Sequence, residues 1–256
     1  MVKLSIITCT YNSEKYLSDC IESIKKQNLD KDIFEHIFVD WKSSDKTKEI
    51  IDKYKKETWF NIFFYEQKPK WVYSAMNYWA EKSSWEYLMW LNSDDFLEVN
   101  ILAKYLNFIE NTWKKDLYYG ILRDYENWKI TVADKYIWIK KILFKYFWSN
   151  VLINHPTVLM RRDAFFELWK FDESNKFASD IEMWLYAEKY NKSMKFFPYE
   201  VTNFRIHSES LTSSKKHETE MKAEHLKIVK KVLPKWKIWL HYLMIKLVRF
   251  YVKKLK

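Results

Sequence analysis

At 256 residues the chain can bury one substantial core, with room for an appended segment. Its two cysteines, Cys9 and Cys20, have no metal-ligand spacing. No apolar run approaches the ~20 residues that cross a bilayer, and no basic, apolar signal segment precedes the first predicted strand. These features argue against a membrane-spanning protein, and we expect a cytoplasmic one.

The net charge of +10 is concentrated at one end of the chain. Residues 215–256 contain 13 Lys and Arg and 3 Glu, so residues 1–214 are neutral as a whole. A neutral globular part argues against a nucleic-acid-binding face, and the basic charge belongs to the tail.

The first half of the chain alternates short apolar runs with runs of helical periodicity. Right-handed crossovers fold such a βαβαβαβ pattern into a parallel sheet with helices on both faces. The pattern predicts strands over 4–10, 34–39, 60–65 and 86–91, with helices over 17–24, 47–54 and 72–80 between them.

Polar side chains follow three of these strands. Because parallel strands end at one edge of the sheet, where ligands of open α/β folds bind, we expect these side chains to lie together. Adjacent carboxylates there suit Mg²⁺ or Mn²⁺ bridging to phosphates; the alternative is that Asp94 or Asp95 caps the next helix. Three clusters on one rim favour a site: Thr10-Tyr11-Asn12, Asp40 and Asn92-Ser93-Asp94-Asp95.

The second half is less regular. A helix is predicted after Asp180, and the last strand ends near His207, whereas His155, before a proline, is typical of a structural loop residue. The other predicted elements are a helix over 101–109, a hairpin from 117–123 and 129–133, an irregular loop over 134–150, a strand over 154–160, a helix over 161–168 and strands over 194–197 and 201–205.

Glycine is almost absent: the chain has one, Gly120, against 14 tryptophans, whereas ordinary usage is about 7% glycine. Trp128 lies in a predicted hairpin turn and Trp169 follows a predicted helix, positions where glycine is usual. We hypothesise that most tryptophans are glycines in the native protein, from a genome that reads a stop codon as glycine. The alternative is a truly tryptophan-rich protein. Trp90 and Trp184 are interpreted as genuine; the strongest candidates for glycine are Trp41, Trp71, Trp79, Trp85, Trp128 and Trp169.

Five stretches, in this order, resemble the family-2 glycosyltransferases of GT-A fold, inverting enzymes that use nucleotide-sugar donors. They are residues 5–12, 39–47, 71–77, 91–95 and 178–185. The resemblance implies an α/β fold with a Rossmann-like, mostly parallel central sheet flanked by helices. It divides the chain into a GT-A domain over 1–214, with a nucleotide-sugar half (1–98) and an acceptor and catalytic half (99–214), and a basic helical tail over 215–256. The family has glycine where this chain has Trp41, Trp71, Trp79 and Trp85.

The resemblance also implies roles for the rim residues. Tyr11 would lie against the nucleotide base, and Asp40 would hydrogen-bond it, as at N3 of a uracil. Asp94 would ligate the Mn²⁺ or Mg²⁺ that bridges the donor diphosphate, and Asp95 would hold the ribose or donor sugar. The remaining nucleotide-sugar contacts are Thr10, Asn12, Asn92 and Ser93.

Two later residues complete the implied site. Asp180 matches the catalytic base, although an aspartate at this point is also a good helix N-cap. His207 resembles a late Arg-x-His element of the family and would touch the diphosphate or the metal. Asn92 replaces the first carboxylate of the family's Asp-x-Asp motif, which implies weaker metal binding.

The chemistry fits these residue types. A nucleotide sugar already carries a good leaving group, so a metal at Asp94 would neutralise the charge that develops on the diphosphate. A carboxylate, Asp180, can take the proton of the attacking acceptor hydroxyl. No covalent intermediate is needed, so inversion of the anomeric carbon follows.

The tail predicts a basic amphipathic helix over 238–256, of a kind that lies in an anionic membrane interface. The alternative is a helix that packs on its own domain. A membrane position would suit a saccharide or lipid-linked acceptor in surface polysaccharide biosynthesis, and would make the protein peripheral on the inner face of the cell membrane.

Two other functions remain open at this level. A nucleotidyltransferase of related fold would want a glycine-rich, basic loop after the first strand, which Thr10-Tyr11-Asn12-Ser13 lacks. A non-catalytic protein that binds a membrane surface through its tail would not need Asp94 and Asp180.

Overall fold

The computed structural model describes residues 2–68, 71–132, 153–210 and 217–254. These residues form a mixed sheet flanked by helices. The strands are β1 (Leu4–Thr10), β2 (Phe34–Asp40), β3 (Asn61–Glu66), β4 (Tyr87–Trp90), β5 (Phe96–Leu97), β6 (Leu117–Glu126), β7 (Lys129–Val132), β8 (Val158–Arg161) and β9 (Met194–Arg205).

The helices begin and end close to the predicted positions in the first half of the chain. They are α1 (Leu17–Lys25), α2 (Thr47–Glu57), α3 (Val72–Lys82), α4 (Ile101–Glu110), α5 (Arg162–Glu167), α6 (Ser179–Lys189), α7 (Glu218–Val232) and α8 (Lys235–Lys254).

The described strands form one sheet in the order β3-β2-β1-β4-β8-β6-β9-β5, with β7 paired to β6. The four strands of the first half are parallel, as predicted. In the second half β6 and β9 are parallel, while β8 runs antiparallel between β4 and β6. Thr10 and Asp40 are register partners, so β1 and β2 end at the same rim.

The core lies on both faces of the sheet, which explains why β1 and β2 are apolar along most of their length. Alternate residues of β1 serve opposite faces: Leu4 and Ile6 pack with α1 and α4, and Ile7 packs with α3 and α6. Trp90 is fully buried in the second of these clusters, in line with its interpretation as a genuine tryptophan.

Three predicted strands differ from the structure. The predicted strand over 154–160 begins instead as a 3₁₀ turn, His155–Thr157, and becomes a strand only at Val158; Pro156 has no N–H to donate to a sheet. The two predicted late strands are one, β9, with a register irregularity against β6. The loop predicted over 134–150 lies outside the described residues.

Among the tryptophans that the structure describes, three have left-handed backbone: Trp113 and Trp128 at φ 65° and Trp169 at φ 66°. Two of them are among the six candidates for glycine, and Trp113 is an addition. The other four candidates have no positive φ, so the backbone does not require glycine there. Gly120 itself is needed for a close approach, because a Cβ at this position would clash with the side chain of Val201.

The basic tail consists of α7 and α8. Ile228, Val229 and Val232 of α7 form a buried cluster with Ala178 and Leu185 from the α6 region. This first tail helix therefore packs on the rest of the protein, whereas the amphipathic helix predicted over 238–256 falls in α8, and both interpretations of that helix stay predictions. Among the described helices, none combines the length and the apolar content needed to cross a bilayer.

Candidate active site

A cavity of about 690 Å³ opens at the carboxyl ends of β1 and β4 and extends towards α6 and the tail helices. Its walls bring together side chains from distant parts of the sequence. Of the ten residues predicted for the site, eight line it: Thr10, Tyr11, Asn12, Asn92, Ser93, Asp94, Asp180 and His207.

Asp94 and His207 form a contact pair on the cavity wall. The Asp94 Oδ2 atom lies 3.0 Å from Nε2 of His207. The backbone carbonyl of Asp94 accepts a hydrogen bond from Nε of Arg205 at 3.0 Å. Arg205 also pairs with Asp19 at 2.6 Å, so a largely buried guanidinium fixes the Asp94 backbone to α1 and β9.

Asp95 lies behind the wall and not on it. It is fully buried, and its carboxylate accepts hydrogen bonds from Nδ2 of Asn92 at 2.9 Å and the backbone N–H of Arg205 at 3.0 Å. Burial, and then the charge of Asp94, raise the pKa of Asp95 well above its ordinary value. The structure thus gives Asp95 a framework contact, and its predicted contact with a sugar stays a prediction.

Asp40 is likewise turned inward. Its Oδ1 accepts hydrogen bonds from the hydroxyls of Thr10 and Ser43 at 2.8 and 2.6 Å, and its Oδ2 accepts one from the Ser43 N–H at 2.7 Å. With 2% of its surface exposed, Asp40 does not line the cavity. In this structure the Asp40 carboxylate therefore does not face the cavity, and its predicted hydrogen bond to a nucleotide base stays a prediction.

The loops after β1 and β4 are joined above these carboxylates. The hydroxyls of Ser13 and Ser93 lie 3.0 Å apart. Asn12 has a positive φ of 46°, which an asparagine tolerates better than most residues, and its Oδ1 accepts a bond from the N–H of Ser44 at 2.9 Å. Tyr11 remains 58% exposed, with its ring available to a planar ligand.

Asp180 lies in the first turn of α6 and lines the same cavity. The hydroxyl of Tyr73 on α3 donates a hydrogen bond to its Oδ1 at 3.0 Å. Burial, and then the charge of Asp180, raise the pKa of Tyr73 well above its ordinary value, so the phenol stays protonated. Ala178 occupies the N-cap position of this helix without a side-chain cap, so the carboxylate of Asp180 does not cap α6.

His155, interpreted from the sequence as a loop residue, lines the cavity beside this pair. It stacks on Trp90 with ring centroids 5.7 Å apart. Its two ring nitrogens are buried and have no hydrogen-bond partner among the described residues. Burial lowers the pKa of His155, partly offset by Asp180, so a neutral imidazole faces the site.

Sequence reasoning assigned no role to three lining residues, Tyr73, His225 and His241. Tyr73 gave no signal beyond its place in a helix within one of the stretches that resemble the family. Arg205, which does not line the cavity, was interpreted only as part of the Arg-x-His element. His225 and His241, whose Nε2 atoms lie 3.1 Å apart, come from the two tail helices, which the sequence separated from the domain. Both histidines line the cavity.

The residues present fit a divalent cation held jointly with a diphosphate. No group of three or more His, Cys, Asp or Glu side chains suited to a metal occurs within the described ranges. Asp94 and His207 supply one carboxylate and one imidazole. Mg²⁺ sites at phosphates commonly have only one or two protein carboxylates, with phosphate oxygens and water as further ligands.

Comparison with known proteins identifies the family of this chain. The model of the family described as Glycosyl transferase family 2 matches residues 5–169. The chain belongs to this family. The match includes the rim from Thr10 to Asp94, whereas Asp180 and His207 lie beyond its end. The family assignment favours a glycosyltransferase over the nucleotidyltransferase and non-catalytic alternatives.

One curated relative is the poly(ribitol-phosphate) beta-N-acetylglucosaminyltransferase TarS of Staphylococcus aureus (strain Mu50 / ATCC 700699). It is 31% identical over 110 residues, which are 43% of this chain and 19% of TarS. The chain thus matches about a fifth of the length of that relative.

Two solved structures share the fold. That of S. aureus TarS 1–349 in complex with UDP-GlcNAc superposes with a TM-score of 0.71 at 20% identity, over 89% of this chain and 65% of that one. The mannosyltransferase PcManGT from Pyrobaculum calidifontis, in complex with GDP-Man and Mn²⁺, gives 0.73 at 13% identity, over 91% and 65%. These matches confirm the predicted GT-A fold.

Proposed function

We propose that this family-2 glycosyltransferase is an inverting enzyme that transfers a sugar from a UDP-sugar to a saccharide or lipid-linked acceptor in surface polysaccharide biosynthesis. Asp180 acts as general base and a divalent cation binds at Asp94. One observation carries the proposal: a single cavity is lined by the Asp94–His207 pair and by the Asp180–Tyr73 pair.

Asp180 has the geometry of a base. Within the described part of the chain, its Oδ1 accepts the Tyr73 hydroxyl, which leaves Oδ2 for an acceptor hydroxyl. As that hydroxyl attacks the anomeric carbon, its proton passes to Asp180, the new glycosidic bond forms, and the bond to the diphosphate breaks. The Tyr73 hydrogen bond holds the carboxylate in one orientation throughout.

The nucleotide diphosphate leaves from the opposite side of the anomeric carbon. Asp94 and His207 would hold Mn²⁺ or Mg²⁺, which supplies positive charge to the departing diphosphate. Arg205, through the Asp94 carbonyl, keeps the metal-binding carboxylate in place. The exposed ring of Tyr11 is suited to lie against the base of the donor.

A donor screen tests the proposal. The full chain is incubated with UDP- and GDP-sugars and membrane extract, with and without Mn²⁺, and release of the nucleoside diphosphate is followed. We expect turnover with a UDP-sugar that requires metal. Asp180→Asn should remove it, whereas Asp163→Asn, at an exposed position on α5, should not. Absence of turnover with every donor would contradict the function; unchanged turnover in Asp180→Asn would contradict the role of the base.

We also propose that α8 contacts an anionic membrane surface. The basic residues of 246–256 support this, because each cation near anionic lipid contributes about 1 kcal/mol. A smaller fraction of the full chain should float with anionic vesicles when Lys246, Arg249 and Lys253 are changed to Glu. Neither protein should bind neutral vesicles. Equal flotation of the two on anionic vesicles would refute membrane binding.

A further proposal concerns the sequence itself: Trp113, Trp128 and Trp169 stand where the native protein has glycine. Their positive φ values support it, because tryptophan adopts this conformation at a cost that glycine does not have. Peptide masses of the native protein should be lower by one Trp-to-Gly difference at each position. Masses that match tryptophan at all three would end the hypothesis.

A further inference from the structure

The segment that carries Asp180 is held by a residue of the tail. Helix α6 begins after Ala178 without a side-chain cap. Just before this helix, the carboxylate of Glu224, on α7, accepts hydrogen bonds from the N–H groups of three consecutive residues. They are Lys176, Phe177 and Ala178, each at 2.8 Å.

A second polar contact fastens α7 to α6 beyond Asp180. Nζ of Lys231 lies 2.7 Å from Oε1 of Glu182, a residue with only 2% of its surface exposed. The other oxygen of Glu182 accepts a hydrogen bond from Nδ2 of Asn175 at 2.6 Å. Glu182 is therefore a buried carboxylate whose partners hold it to both α7 and the loop before α6.

The two contacts lie on one face of α7. Glu224, Ile228 and Lys231 are spaced by four and three residues, which places them in a single stripe along a helix. Ile228 is buried between the polar contacts. One face of α7 thus contacts the chain both before and after Asp180.

We propose that Glu224 is a positioning residue for catalysis: it fixes the backbone at 176–178 so that Asp180 meets both Tyr73 and the acceptor hydroxyl. This inference rests on the proposed role of Asp180 as general base. A displacement of about 1 Å in a catalytic group can cost on the order of 100-fold in rate. A carboxylate bound to three amides two to four residues before the base is suited to prevent it.

Glu224 can be altered without undocking α7, because the Lys231–Glu182 ion pair and the buried cluster of Ile228 and Val229 remain. Donor binding should also remain, since Asp94 and His207 are held by Arg205 and α1 and not by α7. Loss of positioning should therefore lower kcat and leave the donor KM nearly unchanged.

The test compares Glu224→Ala and Glu224→Gln with Glu220→Ala, a carboxylate exposed on the same helix whose ion pair is with His217. We expect kcat of Glu224→Ala to fall about 10- to 100-fold, with the donor KM within about twofold. Glu224→Gln should recover part of the rate, because its carbonyl oxygen can still accept from Phe177 and Ala178. Glu220→Ala should match the unchanged enzyme.

Unchanged kcat in Glu224→Ala, or a fall equalled by Glu220→Ala, would overturn the inference. If Glu224→Ala does not fold, Glu224→Gln decides: a kcat below that of Glu220→Ala at equal donor KM supports positioning, and an equal kcat overturns it. Asp180→Asn separates the two proposals. Full transfer in that variant refutes the base, whereas loss of transfer there with an unaffected Glu224→Ala refutes only the role of Glu224.

Discussion

Replacing Trp128 or Trp113 by glycine should stabilise the protein. Both have φ 65° and 88% of their surface exposed. Left-handed backbone costs a residue with a side chain about 1–2 kcal/mol, and the greater freedom of glycine in the unfolded chain returns about 0.5–1 kcal/mol of this. Little buried area is lost, so each substitution should raise the free energy of unfolding by roughly 0.5–1 kcal/mol.

Trp169→Gly should raise the free energy of unfolding by less. Trp169 has φ 66° but is 63% exposed, and its ring contacts that of Tyr190 with centroids 5.1 Å apart. Such an aromatic pair contributes about 0.5–1.5 kcal/mol, which offsets most of the relief of the backbone. Trp113→Gly, Trp128→Gly and Trp169→Gly combined should raise Tm by about 3–8 °C, at 2–4 °C per kcal/mol for a chain of this size.

The assay is urea unfolding followed by far-ultraviolet circular dichroism, which is less affected than fluorescence by loss of tryptophan. The slope of the free energy against urea should not change, because the surface exposed on unfolding is nearly the same. The matched control is Trp59→Gly: Trp59 is 74% exposed but has no positive φ, so it should be neutral or destabilised. If Trp113→Gly and Trp128→Gly are no more stable than Trp59→Gly, the backbone argument is refuted.

Three further outcomes are expected. Asp94→Asn should lower kcat roughly 100-fold through loss of charge stabilisation of the diphosphate, and His207→Ala should raise the Mn²⁺ concentration for half-maximal activity about 10-fold or more; activity independent of Mn²⁺ in the unchanged enzyme would contradict both. His155→Ala should raise KM for donor or acceptor more than Phe166→Ala does, because the substitution removes two buried ring nitrogens that could hydrogen-bond a substrate. Equal KM values in the two variants would show that His155 serves only packing. Burial lowers the pKa of His36 to about 3, so below its unfolded value of about 6.5 the unfolded chain binds a proton that the folded one does not. The free energy of unfolding should thus fall by up to about 1.4 kcal/mol per unit as pH drops from 6.5 towards 3, less steeply in His36→Gln; identical slopes would show that His36 is not neutral when folded.

The placement of Asp94 could be predicted because it depends on local pattern, whereas Asp180 was assigned to the site only by the resemblance to the family. An apolar run followed by polar residues marks a strand end, and parallel strands bring such ends together whatever loops connect them. The same rule predicted that Thr10 and Asn92 lie on the cavity wall, where the structure has them. For Thr10, Asn92 and Asp94 on this rim, periodicity and topology were sufficient.

The orientation of Asp40 and Asp95 could not be predicted in this way. Each carboxylate is turned inward by partners whose position depends on loop conformation or distant chain, such as Ser43 and Arg205. Trp128 and Trp169 could be identified as positions where glycine is usual, because turns and helix ends favour positive φ at defined positions. His241 was missed because its burial depends on how the tail docks, and composition suggested a separate tail.

The contact between Glu224 and the segment before Asp180 also has a consequence for the order of events during synthesis. Glu224 follows both the sheet and Asp180 in the chain. A nascent polypeptide can therefore complete the rim where the donor is proposed to bind before the proposed positioning residue has left the ribosome. If N-terminal elements fold first, the growing chain gains the capacity to hold a donor earlier than the capacity to transfer its sugar. The full rate of transfer is then expected only once α7 docks.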